Sequence, residues 1–347
     1  MIGKRIITQE DINIFLNDGL NSPFKIPSKF SAPISLIWEV TGNCNSNCIY
    51  CSGGFPKHIN EMNKTDKIKL AREICDMKVF MISLSGGEPL ISRDLLELVN
   101  IFIENDVSIM ICTSGYKINY SIVDALLRLK KVSFNISIDS INDEINDFQR
   151  GRVGALKEAL NLIEYIRNNE LTDTFISIES VATRKNYSGM ADLVEYFSKN
   201  CNVNEIRIQP VVTMNKDVVE NELEISKEEF KNCMINVKKF IEEYNSVVSE
   251  PSDGYICVRF VDQFKMIKNG LETERTWGGI ITPQGEFLLS VYLPNNLGSV
   301  FELGTFRETW NKKFSDGWKI LKKDSNLSNI NCVYDLRKLY VDGLYGG

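Results

Sequence analysis

Three cysteines lie within eight residues, in the segment Cys44-Asn45-Ser46-Asn47-Cys48-Ile49-Tyr50-Cys51, called here the Cys loop. Their spacing of i, i+4 and i+7 is also one face of an α-helix. The intervening asparagines and serine, preceded by Gly42 and Asn43, are turn formers with poor helix propensity. We therefore predict a loop, which can bring three sulfur atoms to one inorganic centre.

Two metal chemistries are compatible with this trio. Cys44, Cys48 and Cys51 can form a closed zinc site with His58, the only histidine of the chain. Alternatively, they can hold an iron–sulfur cluster in which one iron has no protein ligand. That open iron can bind a small chelating ligand and pass an electron to it. The spacing alone leaves both chemistries open.

A second motif, Ser85-Gly86-Gly87-Glu88-Pro89, follows the strand predicted at 79–85. Two glycines allow a backbone to approach a ligand closely, and Pro89 keeps Glu88 extended. A carboxylate beside exposed carbonyls is a receptor for an ammonium group. In isolation the motif is typical of a tight turn. A structural zinc site would leave it without a role, so it favours the cluster.

The surrounding elements alternate between strand and helix. We predict strands at 34–41, 79–85, 107–113, 132–139, 175–181 and 206–209, with amphipathic helices between them. Six such units predict an α/β fold with a parallel sheet that is either open or curled toward a barrel. In both cases the carboxyl ends of the strands share one rim, so the Cys loop and the Gly-Gly motif are expected to meet there.

At this point the chain resembles the radical S-adenosylmethionine (SAM) enzymes. The specific match is Cys44-x3-Cys48-x-Tyr50-Cys51 with Gly86-Gly87-Glu88-Pro89 about 35 residues later; the supporting matches are Thr113-Ser114-Gly115, Ser137-Ile138-Asp139 and Arg150-Gly151. The resemblance implies a partial (β/α)6 TIM-type barrel over roughly 34–210. The implied domains are an N-terminal capping segment (1–33), the barrel core (34–213) and a linker, helix and C-terminal cap (214–347).

The same resemblance implies one 4Fe–4S cluster on Cys44, Cys48 and Cys51, with SAM on the open iron. The implied SAM contacts are Tyr50, Gly86, Gly87, Glu88, Thr113, Ser137 and Arg150. Reductive cleavage of SAM would give a 5′-deoxyadenosyl radical that abstracts a hydrogen atom from substrate. An enclosed barrel suits such a radical. A low-potential electron donor such as flavodoxin or ferredoxin is the implied partner.

The C-terminal part resembles the SPASM/twitch extension of that family. A hairpin is predicted over 280–289 with its turn at 283–285. Ser290 stands where the family has a cysteine, so we predict an extension without a cluster. Such an enzyme lacks an auxiliary electron acceptor, which favours a redox-neutral reaction with a thiol as hydrogen-atom donor. Cys257 and Cys332 are the predicted donors, and alternation predicts that Cys112 points away from the barrel interior.

We predict that the substrate is a ribosomally made peptide. The alternative is a small metabolite, such as a sugar or nucleoside that is epimerised, dehydrated or deaminated. A non-catalytic iron–sulfur or zinc protein is the third alternative. The acidic connection at 214–229 suits a peptide, and Ser226 with Glu229 predicts a capping box for the next helix.

Charge and hydropathy limit the remaining partners and the location. Acidic residues outnumber basic ones by 46 to 40, and this net charge of −6 argues against a nucleic-acid-binding face. A short helix is predicted from Thr8 onward. The sequence has no apolar signal core and no apolar run of about 18 residues, so we predict a cytoplasmic protein that does not span the membrane.

Overall fold

The computed structural model describes residues 4–10, 27–53, 60–169, 173–248, 255–293, 295–324, 327, 330 and 332–342. Its strands form one sheet of eleven in the order β1-β8-β7-β6-β5-β4-β3-β2-β9-β10-β11. The core strands are β2 (Ser35–Thr41), β3 (Met81–Gly86), β4 (Ser108–Thr113), β5 (Val132–Ser137), β6 (Ile176–Ala182) and β7 (Glu205–Pro210). Each pairs in parallel with the next. The prediction of an α/β fold with a six-stranded parallel core is confirmed.

Helices connect these strands on their outer side. They are α1 (Lys64–Asp76), α2 (Leu95–Glu104), α3 (Tyr120–Leu127), α4 (Asp143–Arg150), α5 (Ala155–Arg167) and α6 (Met190–Asn200). Side chains along β2 alternate between the face that packs on the helices and the face that lines the interior of the curved sheet. Trp38 is fully buried and its ring meets Phe102 of α2 edge-on at 6.3 Å, whereas Glu39 faces the interior of the curved sheet. The outer face thus builds the apolar core, and the inner face carries polar residues.

Two further parallel strands extend the sheet beyond β7. β8 (Tyr255–Phe260) pairs with β7, and β1 (Arg5–Thr8) pairs with β8. Neither was predicted, because β1 has only four residues and the sequence around β8 carries no clear strand–helix rhythm. The helix predicted from Thr8 onward falls mostly on residues 11–26, outside the described part of the chain. The first 33 residues therefore include a strand of the sheet and are not only a capping segment.

The C-terminal part returns to the opposite edge of the sheet. Its elements are α7 (Lys216–Glu220), α8 (Lys227–Val247), α9 (Gln263–Thr273), β9 (Gly278–Ile281), β10 (Glu286–Leu288), β11 (Asn296–Ser299), α10 (Phe306–Lys312), α11 (Gly317–Leu321) and α12 (Arg337–Tyr340). Short 3₁₀ turns lie at Pro89–Ile91, Tyr187–Gly189, Phe314–Asp316 and Val333–Leu336. β9 pairs in parallel with β2, so α9 crosses from one edge of the curved sheet to the other.

Two local predictions for this part are confirmed. Ser226 and Glu229 form the capping box of α8, with Ser226 N donating to Glu229 Oε2 at 2.7 Å and Glu229 N donating to Ser226 Oγ at 3.1 Å. β9 and β10 form the predicted hairpin, and Gly285 takes the positive φ of 81° that its turn requires. Within the described residues, every helix is too short or too polar to cross a lipid bilayer.

Candidate functional site

A cavity of about 890 Å³ opens at the carboxyl ends of β2 to β7. Its wall combines the Cys loop with the inward-facing side chains of the strands, among them Glu39, Ser85, Cys112, Asn135, Ser137, Glu179 and Arg207. The C-terminal part contributes the other side of the wall, through α9 and through Trp277, Ser290, Tyr292 and Trp318. Its volume is in the range of ligand-binding cavities.

The three thiols of the Cys loop line this cavity. Residues 44–51 form no helix, as predicted; Cys44 and Cys51 are exposed and Cys48 is partly buried. Burial raises the pKa of the Cys48 thiol to about 11 and also raises that of Cys44. Both thiols are therefore protonated at neutral pH until a positively charged centre binds them.

Hydrogen bonds to helix α4 and to the residues after it fix the Cys loop. Asn47 N donates to Arg150 O at 3.3 Å, and Ile49 N donates to the carbonyl of the preceding Gln149 at 3.1 Å. Arg152 Nε donates to Asn45 O at 2.7 Å. These three hydrogen bonds tie the loop to helix α4 and to the residues after it.

The start of the loop is held by a buried charge network. Glu61 Oε1 accepts from Thr41 Oγ1 at 2.8 Å and from Gly42 N at 2.9 Å. Lys67, whose side chain is 5% exposed, lies 3.4 Å from both Glu61 and Asp94. A lysine with two carboxylate partners tolerates this burial, and it keeps Glu61 directed at the loop.

Gly86 and Gly87 line the cavity and also contact the backbone that enters the Cys loop. Gly87 N donates to Thr41 O at 2.8 Å, and a Cβ at Gly87 would lie 2.1 Å from Asn43 O. Gly86 has φ 119°, and a Cβ there would lie 2.3 Å from Thr41 O. Close approach of a ligand is one reason for glycine at these two positions. The structure adds a second reason, because two backbone segments pack directly on each other here.

The position of Glu88 differs from the prediction that its carboxylate receives an ammonium group in the cavity. Its side chain does not line the cavity as an ammonium receptor, because the residue is 1% exposed. Oε1 accepts from Thr113 Oγ1 at 2.7 Å and from Leu90 N at 3.2 Å, and Oε2 accepts from Ser114 N at 2.9 Å and from Ser114 Oγ at 2.8 Å. These four bonds occupy the acceptor sites of a carboxylate. Burial nevertheless raises the pKa of Glu88, and the hydrogen bonds oppose that shift.

Tyr50 and Arg150 line the cavity as parts of a buried triad with Asp139. Arg150 Nη1 donates to the Tyr50 hydroxyl at 2.8 Å and lies 3.7 Å from Asp139 Oδ2, to which the Tyr50 hydroxyl also donates. Burial raises the pKa of Tyr50, and the Asp139 carboxylate adds to this rise. Arg150 therefore already has a carboxylate partner within the protein. Thr113 and Ser137 also line the cavity, although the Thr113 hydroxyl donates to Glu88 Oε1. Their role as SAM contacts stays a prediction.

Several polar residues of the barrel interior were not among the residues predicted for the site. Glu39 is 8% exposed, its carboxylate accepts no hydrogen bond from any described residue, and burial raises its pKa to about 7. Glu179 contacts Arg207 at 3.4 Å and accepts from Asn135 Nδ2 at 3.2 Å. The signal that could have found them is alternation, because each is a polar residue on the inner face of a predicted strand.

The structure separates the candidate hydrogen-atom donors. Cys112 lines the cavity, so the expectation that it points away is wrong. Cys257 pairs in register with Glu205, the first residue of β7, at the amino end of the strands. Cys332 precedes a short 3₁₀ turn, where it contacts Asp335. Neither Cys257 nor Cys332 lines the cavity, so position gives no support to the donor role predicted for them.

The side chains around the Cys loop bear on both metal chemistries. No three His, Cys, Asp or Glu side chains within the described part of the chain converge on one metal ion. His58, which the zinc alternative needs, lies outside the described residues. Three thiols at one cavity wall, beside two glycines whose backbone faces the same space, suit a cluster with one open iron.

A partial α/β barrel with a thiol-lined cavity at its carboxyl rim is the architecture of a radical SAM domain. Residues 38–197 match the Radical SAM superfamily, so the chain contains a radical SAM domain. Proteins of this superfamily use a 4Fe–4S cluster and SAM.

Relatives support the same assignment. The chain is 34% identical over 156 residues to the mycofactocin maturase MftC of Mycolicibacterium smegmatis, which covers 45% of this chain and 39% of MftC. It is 27% identical over 180 residues to the sporulation killing factor maturation protein SkfB of Bacillus subtilis, covering 51% of this chain and 43% of SkfB. The chain thus matches less than half the length of these relatives.

Solved structures share the fold. Streptococcus suis SuiB bound to its precursor peptide SuiA has a TM-score of 0.67 at 16% identity, over 86% of this chain and 70% of SuiB. The anSMEcpe structure with bound AdoMet and a peptide has a TM-score of 0.61 at 14% identity, over 86% of both chains. Both likenesses extend beyond residues 38–197, so the C-terminal part follows the same general architecture.

Proposed function

We propose that this protein is a radical SAM enzyme that modifies a ribosomally made peptide. The observation that carries the proposal is the shared cavity of the three Cys-loop thiols and the Gly86-Gly87 backbone. In this assignment, Cys44, Cys48 and Cys51 hold one 4Fe–4S cluster. When bound, the cluster and SAM supply a 5′-deoxyadenosyl radical that abstracts a hydrogen atom.

The protein's own residues orient the cofactor and exclude water. Gly86 and Gly87 offer backbone carbonyls to the amine, and Ser137 offers its hydroxyl at the same rim. The Thr113 hydroxyl already donates to Glu88 Oε1 at 2.7 Å and accepts from Gly115 N at 2.9 Å, so Thr113 shapes the rim. Tyr50 closes the cavity beside the thiols, and its bond to Arg150 fixes its ring. Glu88 acts indirectly, because its carboxylate accepts hydrogen bonds from Thr113 and Ser114 and so holds the turn that contains them.

The C-terminal part is proposed as a SPASM/twitch-like cap without a cluster. Within the described residues, Ser290 takes a place in the cavity wall, where its backbone and hydroxyl accept hydrogen bonds from the residues after it. Residues 34–213 would be the core and 214–347 the cap. A cytoplasmic location and an electron donor such as flavodoxin or ferredoxin belong to the same proposal.

Cys112 replaces Cys257 and Cys332 as the favoured hydrogen-atom donor. Burial raises the pKa of its thiol to about 12, with Glu179 adding to the rise, so the S–H bond remains intact at neutral pH. The hydrogen atom would pass from Cys112 Sγ to a substrate carbon radical. The sulfur would then be one electron short, and the external electron donor with one proton would restore the thiol. This makes a redox-neutral reaction such as epimerisation the favoured type.

A peptide substrate is favoured over a small metabolite by the relatives. MftC and SkfB are named as maturases, PqqA peptide cyclase is a further relative, and the SuiB structure contains a precursor peptide. The cavity also reaches the exposed Asp217 of α7, so its wall continues to the acidic connection.

The test is anaerobic reconstitution with iron and sulfide, followed by dithionite and SAM. We expect about four irons per chain and 5′-deoxyadenosine as product. Cys48→Ala should lose both, whereas Cys201→Ala, a half-buried cysteine away from the cavity, should keep both. Absence of 5′-deoxyadenosine from the wild type would overturn the enzyme assignment. About eight irons per chain would overturn the cluster-free cap.

A further inference from the structure

Glu39 lies on the inner face of β2, beside the Gly-Gly motif. In the parallel register of β2 and β3 it stands next to Ser85, and Thr41 stands next to Gly86. A Cβ at Gly86 would lie 3.2 Å from Glu39 Cα, and Glu39, Ser85 and Gly86 all line the cavity. Glu39 is therefore adjacent to the backbone that is proposed to receive the amine of SAM, five residues before Cys44.

The carboxylate of Glu39 is buried but remains accessible from the cavity. The residue is 8% exposed, and neither carboxylate oxygen belongs to the side-chain atoms of the described residues that are both closed off from solvent and without a hydrogen bond. Since no described residue donates to these oxygens, both must be accessible, and the surface that Glu39 lines is that of the cavity. A donor group that enters the cavity can therefore reach them.

Glu39 also lacks a positively charged partner among the described residues. Burial is the one cause of its raised pKa, so no cationic side chain there offsets its charge. Glu179, the other acidic strand residue that lines the cavity, has Arg207 at 3.4 Å. A carboxylate without a partner at this degree of burial is unfavourable in its charged form, and a positive group with N–H donors that binds beside it removes much of that cost.

These properties of Glu39 select among the groups that a ligand could place beside it. A ligand carboxylate or phosphate would be repelled, because an ionised carboxylate only accepts hydrogen bonds. A hydroxyl or an amide would donate hydrogen bonds but leave the charge without a counter-charge. An amino group supplies two or three N–H donors and, when protonated, the opposite charge. The neighbouring Ser85 hydroxyl can accept one of the remaining N–H groups.

We propose that Glu39 is the receptor for an amino group of a ligand in the cavity, with an N–H of that group donating to the Glu39 carboxylate. Glu39 takes the role predicted for Glu88, whose carboxylate already accepts four hydrogen bonds within the protein. Two ligands of the proposed function carry such a group: SAM itself, and a peptide substrate through a lysine side chain. The inference rests on that proposed function, and the experiment separates the two sources.

The first measurement tests SAM as the source of the amino group. The full chain, reconstituted with its cluster, is dialysed to equilibrium against SAM or against the analogue in which hydrogen replaces the amino group. The ratio of the two affinities is the preference for the amino group. If SAM is the source, Glu39→Gln, which keeps the size of the side chain and removes its charge, should lower this preference about tenfold.

The second measurement tests a substrate lysine as the source. In the presence of SAM, ligand-observed NMR compares binding of N-acetyl-lysine methylamide with that of N-acetyl-norleucine methylamide, which lacks the amino group. If the substrate is the source, the wild type should bind the lysine probe about tenfold more tightly, and Glu39→Gln should lose this preference. Glu39→Asp keeps the charge one methylene farther back, so it should lower the affected preference by a smaller factor.

Glu205→Gln is the matched control, and thermal midpoints check that each variant folds. Glu205 is a strand glutamate that is 6% exposed, forms an ion pair with Arg259 at 2.7 Å and does not line the cavity, so both preferences should stay at their wild-type values. The proposal is overturned if Glu39→Gln changes neither the preference for SAM over its deaminated analogue nor that for lysine over norleucine. Formation of 5′-deoxyadenosine by the wild type keeps the enzyme assignment standing in that case, so the two failures are distinguishable.

Discussion

Glu88 Oε2 accepts hydrogen bonds from both the backbone N–H and the hydroxyl of Ser114, at 2.9 and 2.8 Å. This joins the end of β3 to the end of β4, immediately beside the Cys loop, whose Ser46 Oγ donates to Ser114 Oγ at 3.2 Å. Glu88 therefore fixes the position of residues at the rim of the cavity, although its own side chain is buried outside the cavity.

Replacing this carboxylate should destabilise the fold. In Glu88→Gln, the amide NH2 must face a hydroxyl or backbone donor, so at least one buried donor loses its acceptor. We expect a loss of about 1–3 kcal/mol in the free energy of unfolding, measured by urea denaturation of the protein without its cluster. Glu104→Gln, at an exposed carboxylate, should change it by less than about 0.5 kcal/mol. Equal effects of the two variants would contradict the assigned role of Glu88.

Enlarging Gly87 should disturb the Cys loop. A Cβ at Gly87 meets Asn43 O at 2.1 Å, so Gly87→Ala must displace the backbone that leads into the loop. We expect the variant to bind clearly less iron after reconstitution than the wild type. In Gly189→Ala the nearest atom lies 3.9 Å away, so its iron content should be normal. Full iron loading of Gly87→Ala would show that the loop does not depend on this contact.

If Cys112 is the hydrogen-atom donor, its removal should leave radical formation intact and prevent return of a hydrogen atom to the substrate. Cys112→Ala should still form 5′-deoxyadenosine, because Cys112 is not a proposed cluster ligand. With a peptide substrate in D2O, it should lose deuterium incorporation into the product, detected by mass spectrometry. Cys257→Ala should behave like the wild type, since Cys257 lies at the opposite end of the strands. The reverse pattern would restore Cys257 as the donor.

The raised pKa of Glu39 predicts that the free energy of unfolding depends on pH. Burial raises its pKa from 4.5 to about 7 in the folded protein, so the folded state binds more protons than the unfolded state between these values. Its contribution to stability is fully present below about pH 4.5 and is lost as pH rises through 7. Glu39→Gln removes this titration.

The variant should therefore gain stability over the wild type as pH increases from 5 to 8. With pKa values of 4.5 in the unfolded state and about 7 in the folded state, we expect a gain of about 2.5 kcal/mol in the free energy of unfolding between pH 5 and 8. Urea denaturation at both pH values measures it, with Glu104→Gln as the control. A constant difference between Glu39→Gln and the wild type across this range would contradict the raised pKa.

Much of the architecture follows from local sequence. Apolar runs such as 107–113 lie between amphipathic helices, and this rhythm predicts the six core strands to within two residues. The Cys loop and the Gly-Gly-Glu-Pro motif also lie at one rim, as expected, because parallel strands end at the same edge of a sheet. These features depend on residues near one another in the chain.

Other features depend on contacts between segments that lie far apart in the chain. β1 is too short to be predicted alone and exists through its pairing with β8, about 250 residues later. The direction of Cys112 depends on strand register, which a one-residue displacement reverses. The carboxylate of Glu88 is satisfied by Ser114, and that of Glu39 has no donor among the described residues, only because the curved sheet sets these side chains among particular neighbours. Sequence determined which chemical groups are present, and tertiary packing decided which of them face the cavity.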